Sequence, residues 1–166
     1  MIQTRCEPDR ASGTPHVPVS AQGSPLRVRD VMSVSPVTIP PSLSVHEAHT
    51  LMPQHKVWHL PVLQDGCLVG IVSDRDIRLV LPSPATSLAV WELRPLLDQL
   101  TVGAMMTCFV MTTVPDCRMT EAVGRMLGHR VGALPVVEDR RVVGILTHTD
   151  VLRAFRSVFL TLSVTA

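Results

Sequence analysis

Two stretches of the chain finish on the same polar pattern: Gly70-Ile71-Val72-Ser73-Asp74-Arg75-Asp76 and Gly144-Ile145-Leu146-Thr147-His148-Thr149-Asp150. Each sets a hydroxyl three residues ahead of a carboxylate, where an apolar run gives way to polar residues. Two chemistries fit that spacing. Ser/Thr-x-x-Asp across a strand end and a helix start forms a cap, in which hydroxyl and carboxylate satisfy amides left open by the first turn. The same junction offers exposed N–H groups and partial positive charge to a phosphate, while a carboxylate there can hold the hydroxyls of a ribose. The spacing alone leaves both readings open, and on spacing the cap is the simpler account.

Other side chains with reactive chemistry are less well organised. His46, His49, His55 and His59 fall within 14 residues, and His46 and His49 share a helical face at i, i+3. At the matching places of the second stretch stand Thr120 and Val123, so the same helix is built there without ligands, and a metal site is not expected. No Ser-His-Asp order, Cys-His pairing or glycine-rich phosphate loop is present, so catalysis is not expected either. Cys6, Cys67, Cys108 and Cys117 form no CxxC pair and suit reduced thiols, with Cys67 and Cys117 expected as small buried hydrophobes.

The elements that must position the two closing motifs are themselves repeated. A shift of 74 residues aligns 28–79 with 102–153 without a gap. Identical pairs include Val28/Val102, Met32/Met106, Glu47/Glu121, Met52/Met126, Pro61/Pro135, Gly70/Gly144 and Asp76/Asp150. A match of this length indicates two copies of one unit. In each, an opening turn (VRDVMS, VGAMMT) leads to a β-rich stretch (PVTIP, VMTTVP). Ser44 or Arg118 then opens a helix with apolar residues at Val45, Ala48, Met52 and at Met119, Ala122, Met126. Pro53 is expected to end or bend the first helix early, where the second has Leu127. Two short apolar runs separated by Gln64-Asp65-Gly66, or by Glu138-Asp139-Arg140, predict a hairpin. A final helix starts near Asp76 or Asp150.

The expected fold class is therefore α+β, an α/β sandwich of two β-α-β-β-α repeats. Each repeat is too small to be secure alone, so the bare sheet faces should pack together about a pseudo-two-fold axis. The expected division is a flexible tail over 1–25, repeat 1 over 26–80 and a linker over 81–100. That linker holds a helix capped near Thr86 or Ser87 and kinked at Pro95. Repeat 2 spans 101–157, and an extension over 158–166 either lengthens the last helix or docks on a neighbour.

Composition narrows the function. Apolar residues are 46% and charged residues 17%, a globular balance. Net charge is +1 and aromatics are 3%, which gives no electrostatic case for nucleic acid or a membrane surface. No apolar run reaches the length of a membrane span and no secretory leader is recognisable, so a cytoplasmic location is expected.

The doubled pattern of an apolar-Met-Ser/Thr opening, an xLPVV hairpin and a GhhS/TxxD close resembles a pair of cystathionine-β-synthase (CBS) domains, the Bateman module, over about 28–155. The stretch SDRDIRLVLPSPATSL followed by LLDQLTV is similar, more narrowly, to the bacterial acetoin-utilisation-B type of stand-alone CBS pair, here without the ACT domain that type can carry. The resemblance implies a non-catalytic regulatory module with no required cofactor. It would bind an adenine nucleotide or an S-adenosylmethionine-like ligand between the repeats, as a homodimer forming a flat disc of four repeats and acting on an unknown regulated protein.

By the same resemblance Ser73 and Asp76 hold one ribose, with adenine near Met111, Val131, Gly132 and Ala133. Thr147 and Asp150 hold the other, with adenine near Val37, Val57, Trp58 and His59. Arg75 or His59 would approach a phosphate. Gly132 and Ala133 leave room for a base where Trp58 and His59 could fill it, so the Asp76 site is the expected one if only one is used. A ligand-free dimerisation platform is the competing reading.

Overall fold

The structure, a computed structural model, describes residues 26–80 and 99–164, with side chains described as far as residue 157. The expectations for the tail over 1–25 and for a linker helix at Thr86, Ser87 and Pro95 lie outside the described residues.

The two copies build matching helices. Helix α1 spans Val45–His55, and buries Val45, Ala48 and Met52 on one face. Its start is a full capping box: the Glu47 amide donates to Ser44 Oγ at 3.2 Å and the Ser44 amide to Glu47 Oε2 at 3.1 Å. Ser44 Oγ also donates to Glu47 Oε2 at 2.8 Å, and this bond, then the one from the Ser44 amide, holds the Glu47 carboxyl below its ordinary pKa. The equivalent helix of the second copy, Met119–His129 (α3 below), buries Met119, Ala122 and Met126, but its cap residue Arg118 makes no side-chain bond. Pro53 does not shorten α1, which is as long as its counterpart. The proline sits in the last turn, where little helix remains to be interrupted, and the Val57 amide closes back on the Met52 carbonyl at 2.9 Å. Both helices end on a left-handed residue, Lys56 and Arg130, each at φ 55°.

Each helix is followed by the expected hairpin. Strands β2 (His59–Gln64) and β3 (Cys67–Ser73) turn at Asp65 and Gly66, whereas β4 (Ala133–Glu138) and β5 (Arg141–Thr147) turn at Asp139 and Arg140. All four turn residues have positive φ, the geometry a two-residue hairpin loop requires. Strand β3 alternates outward and inward from an exposed Cys67, so this thiol is not the buried hydrophobe expected, while Cys117 is. Helices α2 (Asp74–Val80) and α4 (His148–Val164) follow β3 and β5 directly, and α4 continues past residue 157 as far as Val164.

The sheets depart from the expected pattern in one respect. The β-rich stretch before each helix contributes a single parallel bridge, Ile39 to Val62 and Thr113 to Val136, because Pro36, Pro40 and Pro115 deprive it of donors. The opening turns supply the missing edge, and they supply it to the other copy. Strand β1 (Ser33–Val34) pairs antiparallel with β5, and at the equivalent place Thr107 bridges Ile71 of β3.

Packing follows the exchange. The one-turn 3-10 helix Val28–Asp30 buries Val28 with Met119, Met126, Leu134 and Leu146, and its counterpart Val102–Ala104 buries Val102 with Val45, Met52, Leu60 and Val72. Gly70 and Gly144 explain their identity here: a Cβ on either would collide with the thioether of Met106 or Met32, carried in by the crossing strand. The result is an α/β sandwich whose two hydrophobic cores each contain a residue of the opposite copy.

Candidate functional site

Both closing motifs sit at a strand-to-helix junction. Ser73 ends β3 and Asp76 lies in the first turn of α2. Ser73 Oγ donates to Asp76 Oδ2 at 2.6 Å, the Ser73 amide donates to the same oxygen at 2.8 Å, and the Asp76 amide donates to Ser73 Oγ at 3.3 Å. Thr147 and Asp150 repeat this at 2.6, 2.9 and 3.3 Å. The capping reading therefore holds at both places. The junctions are tied down further by the Asp74 amide on the Trp58 carbonyl at 3.0 Å and the His148 amide on the Gly132 carbonyl at 3.2 Å.

The caps differ in what they leave over. Asp150 is buried, and its second oxygen accepts from Ser33 Oγ of the crossing strand and from Arg153, both at 3.1 Å. At the equivalent places around Asp76 the chain has Thr107 and Leu79. No hydrogen bond from the described residues reaches Asp76 Oδ1, and this carboxylate is partly exposed. Among the described residues, only the first site keeps a carboxylate oxygen free for a further donor.

Each junction opens on a crevice whose far wall comes from the other copy. The Asp76 crevice, of about 750 Å³, is lined by Ser73, Arg75 and Asp76 on one side and by Met111, Val131, Gly132 and Ala133 on the other. The Asp150 crevice, about 480 Å³, brings Thr147 and Asp150 opposite Val37, Val57, Trp58 and His59. Every residue that the resemblance assigned to an adenosyl ligand thus lines one of two crevices, whereas His46, His49 and His55 line neither. Trp58, His59, Gly132 and His148 line both. The ring of His59 lies against Gly132, with Nε2 only 2.9 Å from where a Cβ would be. Burial first, then the charge of His148, lowers the His59 pKa, against an opposing pull from Asp76.

Several lining residues escaped the reading of the sequence. Lys56, Arg130, Thr107, Phe109, His148 and Arg153 also line the crevices. The contrasts Arg153/Leu79 and Lys56/Arg130 were visible in the 74-residue alignment, but nothing in one dimension shows that a left-handed cap residue turns toward the opposite motif. Among the described residues no group of three or more His, Cys, Asp or Glu gathers as metal ligands, and no helix is long and apolar enough to cross a membrane.

A sandwich of two such repeats with paired crevices at their interface defines a class of protein. The family model of the CBS domain matches residues 28–83 and 102–157, so the chain belongs to the CBS-domain family and carries a pair of these domains. The CBS domain-containing protein YhcV of Bacillus subtilis is 29% identical over 123 residues, which cover 74% of this chain and 81% of that one. The L-aspartate semialdehyde sulfurtransferase of Methanocaldococcus jannaschii is 32% identical over 130 residues, 77% of this chain but 23% of the enzyme, so a CBS pair also occurs as a part of longer enzymes.

Among solved structures, the CBS domain pair of protein MJ0100 in complex with 5'-methylthioadenosine and S-adenosyl-L-methionine superposes with TM-score 0.66 at 29% identity, covering 81% of this chain and 98% of that one. AcuB of Vibrio cholerae does so with TM-score 0.69 at 26% identity, covering 86% and 98%. CBSX2 in complex with AMP gives 0.64 at 32% identity, covering 80% and 97%.

Proposed function

We propose that this CBS pair is a non-catalytic regulatory module that binds an adenine nucleotide or related adenosyl ligand in the crevice at Asp76. The observation that carries the reading is the unspent oxygen of Asp76, at a helix start, facing an apolar wall supplied by the other repeat. Ser73 and Asp76 hold the ribose, and Met111, Val131, Gly132 and Ala133 receive the flat base. The AMP bound by CBSX2 and the adenosyl compounds bound by the MJ0100 pair support that ligand class. The Asp150 crevice is the weaker site, because Ser33 and Arg153 already occupy its carboxylate.

A ligand there touches both repeats, so binding biases their relative arrangement, which a partner reads. That partner is first a second copy. Leu79, Leu127, Leu152 and Phe155 stand exposed on the outer helices and supply apolar area for a homodimer in the cytoplasm, which in turn acts on a regulated protein.

Titration of the full chain with AMP, ADP, ATP and S-adenosylmethionine, followed by calorimetry and melting, tests this. A ligand at 100 times its Kd raises stability by about 2.7 kcal/mol. Charge-assisted hydrogen bonds are worth about 1.5–3 kcal/mol each, so Asp76→Asn should weaken binding by roughly ten- to a hundredfold, and Asp150→Asn much less. No response to any of the four compounds would leave a dimerisation platform instead.

A further inference from the structure

We propose that His59 and His148 form a proton-operated spacer between the two repeats. Uncharged, the rings meet over Gly132 and hold the crevices at their present width. Charged together, they drive the repeats apart at that point and alter both crevices at once.

The two histidines come from opposite repeats: His59 opens β2, and His148 opens α4. Both rings converge on the space that a side chain at position 132 would fill. His59 Nε2 lies 2.9 Å and His148 Nδ1 3.8 Å from where a Gly132 Cβ would be. Together with Trp58 and Gly132, the pair lines both crevices. The fold requires neither imidazole, because the 74-residue shift puts Ala133 at the place of His59, Asp74 at that of His148 and Trp58 at that of Gly132. The repeat builds this contact once, on one side of its pseudo-two-fold.

The surrounding charges set the direction. His148 is exposed, but His59 is half-buried. Burial and the charge of His148 oppose protonation of His59, and Asp76 favours it. Helix α2 also brings Asp74 and Arg75 to these crevices, α4 brings Asp150 and Arg153, and the ends of α1 and α3 bring Lys56 and Arg130. Asp74 is paired with Arg78 and Asp150 with Arg153. Among the described residues that leaves Asp76 to hold a charged His59 in place, against His148, Arg75, Lys56 and Arg130. Moving the repeats apart separates the two charged rings and lets water reach His59.

A proton is then a second input to the module. It competes with any ligand that bridges the repeats, and the competition is reciprocal. The effect on ligand rests on the adenosyl reading of the crevices, whereas the spacer does not.

Amide hydrogen exchange on the full chain without ligand tests the spacer. Thr107 and Ile71, bonded amide to carbonyl in both directions at 3.0 and 3.1 Å, join the repeats along one crevice wall. The Ser35 amide on the Val143 carbonyl, at 3.2 Å, joins them along the other. From about pH 7 to about pH 5, across the histidine range, protection of these amides should fall, after correction for the intrinsic pH dependence of exchange. The fall should be about tenfold, the scale of repulsion between two like charges at this range. Bonds within the β2–β3 hairpin should keep their protection. The His59→Gln/His148→Gln variant should keep it at the inter-repeat bonds too, and so should His148→Asp, which gives a charged His59 a partner. No fall in the wild type, or an equal fall in either variant, overturns the proposal.

Calorimetry with adenosine, which gains no charge over that range, reads the effect on ligand. Its affinity should drop about tenfold at the lower pH in the wild type and stay level in the double variant. Adenosine bound equally tightly at both pH values would show that the crevices do not feel the spacer, and overturns the proposal. Should adenosine bind at neither pH while the exchange result holds, the spacer stands and the adenosyl reading falls.

Discussion

Thr113 stands where the first copy has Ile39, and both are buried in a core. Among the described residues the Thr113 hydroxyl finds no hydrogen-bond partner there, nor does that of Thr112. A buried hydroxyl without a partner costs about 1–3 kcal/mol, so Thr113→Val, which keeps the shape and removes the polar atom, should raise stability by about 1 kcal/mol in a denaturant melt. A loss of stability would show that the hydroxyl is satisfied.

His59 makes a second residue-level prediction, and its sign is fixed. Burial and His148 hold its pKa below the ordinary histidine value, so the unfolded chain binds this proton more readily than the folded one. The contribution is fully present above about pH 6.5, the unperturbed value, and is lost as pH falls below it toward the folded pKa. The melting temperature should therefore drop between about pH 7 and pH 5, and His59→Gln should flatten that drop. An equal slope in the variant would assign the effect to another group.

At the level of elements, the two hairpin turns differ in one residue. Asp65-Gly66 gives the second, left-handed position to glycine, whereas Asp139-Arg140 gives it to an arginine at φ 67°. The left-handed region costs an L-residue about 1–2 kcal/mol, offset in part by the entropy a glycine loses. Arg140→Gly should thus stabilise the chain by roughly 1 kcal/mol, read as a higher urea midpoint at unchanged slope.

Helices and hairpins were the legible part of the sequence, because their signals are local. Val45, Ala48 and Met52 recur at helical spacing, and Asp65-Gly66 names its turn. Pro53 misled because a proline in a last turn removes only one bond. Cys67 misled because a strand's two faces are told apart only by what covers them. The closing motifs were legible as a shared pattern, but the difference between them was not. It lies in Ser33 reaching Asp150 across 117 residues, a contact that no local signal announces.

For the whole molecule, the exchange of opening turns matters most. The 74-residue repeat marks where a unit begins in the sequence, but Val28 and Val102 are each buried in the opposite core. Residues 101–157 produced alone would lack Val28 and the β1 edge and would keep Val102 without a core to enter. They should show no cooperative thermal transition by circular dichroism, and mixing with residues 26–100 should restore one. A sharp melt for 101–157 alone would show that the exchange is dispensable.

The same crossing has a bearing on synthesis. As the ribosome extrudes the chain, the first half waits with an uncapped β3 edge until Thr107 emerges, and Ser33 and Val34 stay unmatched until β5 has been made. Nascent chains stalled between the two hairpins should therefore be protease-sensitive throughout, and the halves should mature together at the end of translation rather than one after the other.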